Sequence, residues 1–548
     1  MNFGFIIDNR KCIGCHACTV ACKAEHDVPI GVNRTWVKYI EKGHFPNTRR
    51  VFSVMRCNHC ADAPCVEICP VEALHTRDDG IVDFDNRRCI GCKACMQACP
   101  YDSLYIDPET HTAAKCNYCA HRIDIGLEPA CVNICPEHAI ISGDLDDPTS
   151  EISVLMSREQ VAARKVEKGT GPKLFYIDGD EASLNPIITE QSSTYLWNSQ
   201  VTGVGHFAKY AEKRLSQADP DELVARLAGP GGTDDREAPH IVPDSGENQK
   251  FMNKAMAVLK ENARRVYDAP AKGAVWGWEV SAYIWTKAIS AGAVLIPFLY
   301  MLSGQGHPSA ELGLFAPITS LVFLTLTGML LVKDLDQPMR FAYVLLRPQW
   351  KSWLVRGGYS ITVFGGLVTL MLLANFTGWT EGLEALSWLT AIFAVVVAVY
   401  TAFLFAQARG RDFWQSPTLP LHMLIHSVMA GAAFFGIAEL VLNTGADWQQ
   451  FLASTLLWVI GINLAVMFVE MATQHPTQDA KATVKMILSG SFAPLFWAGV
   501  VVIGNVLPFA LLWFGASDFL LAAAVLALLG SYITEHIWVR APQMIPNS

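Results

Sequence analysis

Beyond residue 135 this 548-residue chain contains no cysteine at all. All sixteen of its cysteines lie between Cys12 and Cys135. Charge is also scarce: charged residues make up 17% of the chain against 51% hydrophobic ones, and the shortage falls mainly in residues 273–548. The N-terminal run MNFGFIIDNRKC has no basic region, no apolar core and no twin arginine, so it predicts no export signal of its own. The net charge of −9 resides mostly in the front half. It argues against nucleic acid as a partner. The length exceeds what one core supports and suggests two or three domains.

The cysteines form four groups: Cys12, Cys15, Cys18 and Cys22; Cys57, Cys60, Cys65 and Cys69; Cys89, Cys92, Cys95 and Cys99; and Cys116, Cys119, Cys131 and Cys135. Groups one and three have the C-x2-C-x2-C-x3-C spacing of bacterial ferredoxins. Proline follows the last cysteine of groups two, three and four, where it turns the chain without an unpaired N–H near sulfur. A disulfide framework suits small secreted domains, which this long chain with its apolar runs does not resemble. Structural zinc uses paired CxxC ligands and leaves the third and fourth cysteines unexplained. Sixteen thiolates at four per cubane give four [4Fe–4S] clusters with none left over. His16, His59, His121 and His138 lie among the loops. They read as tuning or surface residues rather than ligands.

The stretches CIGCHACTVACKAEHDVPIG, MRCNHCADAPCVEICPVEAL, CIGCKACMQACPY and KCNYCAHRIDIGLEPACVNICP resemble the four-cluster electron-transfer subunits of molybdopterin oxidoreductases, such as dimethyl sulfoxide and polysulfide reductases. The resemblance covers residues 1–180. It implies an α+β tandem ferredoxin-like domain and a separate molybdopterin-type catalytic subunit. It also implies ligand sets that cross between groups. Cys12, Cys15, Cys18 and Cys135 would hold one cluster, and Cys22, Cys116, Cys119 and Cys131 a second. Cys57, Cys60, Cys65 and Cys99 would hold a third, and Cys69, Cys89, Cys92 and Cys95 a fourth. With a full cysteine set, only cubanes are expected.

Residues 181–272 read as a linker. Two islands, 206–227 and 248–266, look helical, and the segment serves either as a tether packed on the cluster domain or as a docking arm for a partner.

From residue 273 the chain predicts an all-α bundle. Eight apolar runs, at about 279–302, 312–332, 354–375, 386–407, 419–442, 451–472, 489–514 and 517–538, are each long enough to cross a bilayer. The connections after the first, third, fifth and seventh carry no Lys or Arg. Lys333, Arg340, Arg347, Lys351, Arg356, Arg409, Arg411, Lys481, Lys485 and Arg540 flank the other ends. By the positive-inside rule that face is cytoplasmic. An even span count puts the cluster domain on the same face of an inner (cell) membrane. The stretches WGWEVSAYIWTKAISAG, RFAYVLLRPQWKSWLVRGG, FWQSPTLPLHMLIHS and IWVRAPQMIPNS resemble the NrfD-like membrane subunit of polysulfide reductases, ordinarily a separate chain.

A membrane partner for a row of clusters is most simply a quinone, menaquinone or ubiquinone. Intramembrane ionisable groups are rare and functional by default. Glu279, Tyr283 and Lys287 share one helical face at i, i+4 and i+8; Tyr283 and Lys287 are candidates for quinone binding, with His426 and His536. Glu470 and Glu535 are candidate proton relays, and Glu439 a weaker one. Arg356 reads as a boundary marker. His422 and His426, one turn apart on the same helix, do not supply the facing ligands of a bis-histidine haem, so no haem is expected. The favoured expectation is an electron-transfer and quinone-reactive subunit whose substrate-converting site is on another chain. The alternatives are a quinone-linked proton-translocating module like that of alternative complex III, and a ferredoxin-linked oxidoreductase merely anchored by its bundle.

Overall fold

The computed structural model describes residues 1–44, 47–191, 263–269, 272–305, 309–379, 381–473 and 475–548. The first helical island, 206–227, and most of the second lie outside the described residues.

The first strand, β1 (Phe3–Asp8), carries consecutive apolar residues because it is central and covered on both faces. Around it come α1 (Ala17–Glu25), the long hairpin β2 (Thr35–His44) and β3 (Asn47–Arg56), α2 (Pro64–Ile68), β4 (Leu74–Thr76), β5 (Val82–Phe84), α3 (Ala94–Ala98), β6 (Tyr105–Ile106), β7 (Ala113–Ala114), α4 (Ala120–Ile123), α5 (Ala130–Asn133), β8 (Ile140–Asp144), α6 (Glu151–Arg158), β9 (Val161–Ala163) and β10 (Leu174–Ile177). The sheet order is β8-β1-β10-β9, with β1 and β10 parallel. The short helices α2, α3 and α5 each begin immediately before a cysteine, so the small hairpins and one-turn helices serve to fold cysteine loops inward.

Both ends of the linker are built into this domain. A short helix, α7 (Glu181–Leu184), packs on β2 and β3, and β11 (Glu190–Gln191) and β12 (Arg264–Tyr267) extend the hairpin in the order β11-β12-β2-β3. Residues 264–266, expected as the end of a helix, are therefore strand. Arg265, buried, is fixed by Asp268 at 2.9 Å and by the Pro186 carbonyl. Pairing with β2, more than two hundred residues away, overrides the local helical pattern.

Among the described residues, eight helices are long and apolar enough to cross a membrane: Trp278–Leu302, Glu311–Lys333, Trp353–Thr377, Leu383–Gln407, Leu419–Leu442, Ala446–Ala472, Leu495–Gly515 and Ser517–Met544. They match the eight expected spans in number and order. Spans one and five meet at Gly292 and Gly431, where a Cβ on Gly292 would come within 2.2 Å of the Ser427 carbonyl. Only hydrogen at these two positions lets the backbones approach so closely. The seventh span opens as a π-helix over Leu495–Val506, and Asn505 in it accepts from Asn463 at 2.9 Å.

The two halves share one apolar core, which runs from Cys60, Cys65 and Leu104 through Trp276 to Tyr283, Trp414 and Trp538. Polar contacts fix the dock. Ser352 Oγ donates to the Ile68 carbonyl at 2.7 Å, Arg340 to the Cys89 carbonyl at 2.9 Å, and Arg411 Nε to Gln97 Oε1 at 3.0 Å. Gly410 lies under Gln97 and Cys99, where a Cβ would sit 2.5 Å from the Gln97 carbonyl oxygen. Arg340, Arg409 and Arg411, three of the flanking basic residues, thus hold the cluster domain.

Candidate functional site: cysteine-lined cavities and a buried polar group in the bundle

All sixteen cysteines are free. Cys12, Cys15, Cys18 and Cys135 line one cavity, Cys57, Cys60, Cys65 and Cys99 another, and Cys69, Cys89, Cys92 and Cys95 a third. The remaining four converge too: the Cys22 thiol is faced by those of Cys116, Cys131 and Cys119. Among the described residues no three His, Cys, Asp or Glu close on a point as a single metal ion requires. A ring of four thiols around a cavity suits a polynuclear iron–sulfur group better than zinc.

The loops also aim donors at sulfur. The N–H groups of Gly91 and Ala113 donate to Cys89 Sγ at 3.4 Å each, that of Ala139 to Cys135 Sγ at 3.3 Å, and Arg56 Nη1 to Cys131 Sγ at 3.1 Å. Such donors favour the anionic sulfur of a cluster. Left alone, three of the more buried thiols resist ionising: burial pushes Cys18, Cys60 and Cys119 up to about 12. Iron must supply the positive charge that makes them thiolates at neutral pH.

The four sets form a row. The Cys18 thiol is faced by Cys131 of the next set, Cys116 by Cys57, and Cys95 by Cys65. The set of Cys69, Cys89, Cys92 and Cys95 ends the row at the bundle, where Trp276 Nε1 donates to the Cys92 carbonyl at 3.1 Å. The set with Cys12 ends it at the far side, where Cys15, Ile13, Val20 and Ile134 are exposed.

Within the bundle, aromatic rings lead inward from Trp276. Its ring lies 5.6 Å from that of Trp414, whose indole N–H donates to the Trp538 carbonyl at 2.8 Å. Trp538 lies 5.1 Å from His422, and His422 lies 4.3 Å from His426. His426 Nδ1 is 2.8 Å from Glu535 Oε1, and His422 Nδ1 is 3.2 Å from Glu470 Oε2. Among the described residues neither Nε2 atom, both buried, has a hydrogen-bond partner. Lys287 is fully buried too, with Nζ donating to the Ala398 carbonyl at 3.2 Å and lying 4.5 Å from the Tyr400 ring centre. Glu470 lines an opening of about 600 Å³ with Asp412, Thr418, His475 and Lys168, at the seam between cluster domain and bundle.

The expected site residues therefore divide. Tyr283, Lys287 and His426 are buried in the bundle. His536 is half-buried and stacks on Tyr532 at 6.4 Å, outside the contacts that join His426 to Glu535. Glu279 pairs with Lys333 at 3.7 Å at the bundle surface, apart from Lys287. Glu439 is held by Thr444 and Gln449 at the far end of its helix. Arg356 is exposed and lies over Trp353 at 4.9 Å, as a boundary residue would. Sequence reasoning missed Arg56, Lys115 and His26, the last with Nε2 at 3.2 Å from Cys119 Sγ. A signal for two of them was present: a basic residue precedes the first cysteine of every group, at Lys11, Arg56, Arg88 and Lys115.

Comparison with known proteins agrees with both halves. Residues 11–74 and 49–145 match models of the 4Fe-4S dicluster domain, and residues 268–547 match the family model for polysulphide reductase, NrfD. A tetrathionate reductase subunit of Salmonella typhimurium is 44% identical over 190 residues, spanning 34% of this chain and 76% of that protein. A polysulfide reductase chain of Wolinella succinogenes is 40% identical over 180 residues, or 32% of this chain and 93% of that one. Arsenate respiratory reductase iron-sulfur subunit ArrB of a Shewanella species is 35% identical over 227 residues, 32% and 96% respectively.

Proposed function

This protein belongs to the polysulphide reductase NrfD family through residues 268–547, joined to an iron–sulfur subunit, and on that premise we propose that it carries electrons between a separate molybdopterin-type catalytic subunit and a membrane quinone. The observation that carries this reading is the contact of Trp276 with Cys92, which sets the last cysteine-lined cavity against the bundle. The four sets of cysteines described above would each hold one [4Fe–4S] cluster, and each cluster, when bound, supplies a one-electron relay. The exposed apolar patch around Ile13, Val20 and Ile134 suits a partner docking beside the first set.

Quinone chemistry couples electrons to protons. Lys287, Tyr283 and the His426–Glu535 pair offer a buried amine and hydrogen-bonding groups within the bundle. Their depth in the bundle favours the tail-bearing, lipid-soluble ring of menaquinone or ubiquinone. Glu470, at the wall of the seam opening and bonded to His422, can take a proton from water and hold it beside His422, whose ring lies 4.3 Å from that of His426. A path across the whole membrane has less support, because Glu439 is satisfied locally. Of the basic flank, Lys333, Arg347, Lys351, Arg356, Lys481, Lys485 and Arg540 remain once the three docking arginines are set aside. They support a cytoplasmic cluster domain on the inner membrane.

The test is purification of the tagged chain from membranes in mild detergent. Co-elution of a molybdenum-bearing subunit, lost on substituting Ile13 and Val20 by Asp, supports the reading. Elution of the chain alone under conditions that preserve its iron would count against it.

A further inference from the structure

Of the basic residues that precede the four cysteine groups, Lys11 and Arg88 are exposed, whereas Arg56 and Lys115 are fully buried. Lys115 is satisfied by the carbonyls of Val82 and Cys116. Arg56 is not satisfied. Its Nη1 donates to Cys131 Sγ at 3.1 Å, and its guanidinium lies over the Phe5 ring at 4.4 Å. Its Nε and Nη2 are buried with no hydrogen-bond partner, and among the described residues no carboxylate pairs with it. The groups facing its charge are the thiols of Cys131, Cys116 and Cys18. A buried, unpaired guanidinium is strongly unfavourable, so the compensating negative charge must come from those cysteines held as thiolates on a cluster, an assembly that is net negative.

We propose that Arg56 is a positioning residue for redox potential, raising that of the cluster held by Cys22, Cys116, Cys119 and Cys131 above what its cysteines alone would give. This role rests on the ligand sets proposed above. Reduction adds one negative charge to a cluster, and a fixed cation one hydrogen bond from a ligand sulfur stabilises that charge in a water-free interior. The direct bond reaches Cys131, so this cluster gains more than the one beyond Cys18. Exposed Lys11 and Arg88 are screened by water and lift the end clusters less. The row is thereby shaped, with its second position favoured for the electron.

The test is an EPR-monitored redox titration of the full chain in membranes, comparing wild type with Arg56→Gln and Arg56→Lys, with iron and acid-labile sulfide measured alongside. One signal should move to lower potential in Arg56→Gln, and by clearly less in Arg56→Lys, with iron content unchanged. Should Arg56→Gln lose a cluster that Arg56→Lys retains near the wild-type potential, the charge is still identified as the compensating group. Unchanged potentials in both variants with full iron content would overturn the inference, as would equal cluster loss in both. A wild type lacking four [4Fe–4S] signals would instead overturn the ligand-set reading, so the two failures are distinguishable.

Discussion

Trp276 stands at the seam of the molecule, its indole N–H 3.1 Å from the carbonyl oxygen of Cys92 and its ring stacked 5.6 Å from Trp414. One residue thus touches both the cysteine loop that ends the row and the aromatic group that begins the bundle interior. Trp276→Ala should cost about 3–5 kcal/mol from the lost core packing. Because it also opens a gap at the seam, quinone-linked cluster oxidation should slow more than ten-fold while iron content is kept. Trp276→Phe should restore most stability but not the fixed loop. Stopped-flow absorbance with chemical unfolding in detergent reads both effects.

Cys95 lines the cavity nearest the bundle. Cys95→Ser should remove or convert one EPR signal, leave the other three, and abolish electron exchange with quinone. Cys15→Ser, at the opposite end, should leave quinone exchange intact and abolish exchange with the catalytic partner. Equal effects of the two variants on quinone exchange would contradict the order of the row.

Lys287 and the His426–Glu535 pair are buried within the bundle. Lys287→Met and His426→Ala should each reduce quinol-linked turnover at least ten-fold with cluster signals unchanged. His536→Ala, whose native ring stacks on Tyr532 outside that group, should have a much smaller effect. Glu470→Gln should slow the proton-coupled step and enlarge the solvent deuterium isotope effect without altering cluster content.

Asp334, at the seam, is pushed up to about 7 by burial, against the opposing pull of Lys93. A carboxyl with a raised native pKa contributes stability that is present below its unfolded value and lost as pH rises to its native value. Thermal stability of the wild type should therefore carry a component that falls between about pH 4 and 7. Asp334→Asn should remove that component, which differential scanning fluorimetry across this range would detect.

The spacing of the cysteines makes the cluster domain legible in the sequence, because loop ligation is a local property of the chain. The eight spans are legible for a similar reason: each must be apolar along its whole length. What escapes is non-local. β12 is strand only because β2 offers an edge, so residues 264–266 carry a helical pattern to the wrong answer. The pairing of His422 with Glu470 and of His426 with Glu535 joins helices that sequence alone does not bring together. Arg56 is visible as one of four basic residues before cysteine. Its burial, which separates it from Lys11, follows from its place at the end of β3 against Phe5.

The most direct measurement is oxidation of the pre-reduced chain by quinone in lipid nanodiscs, followed by iron–sulfur absorbance and by EPR of rapidly frozen samples. All four [4Fe–4S] signals should be lost on adding menaquinone or ubiquinone analogues, at a rate cut at least ten-fold by Lys287→Met. Clusters that stay reduced with excess quinone of either type, or two or fewer [4Fe–4S] signals in the reduced protein, would contradict the account.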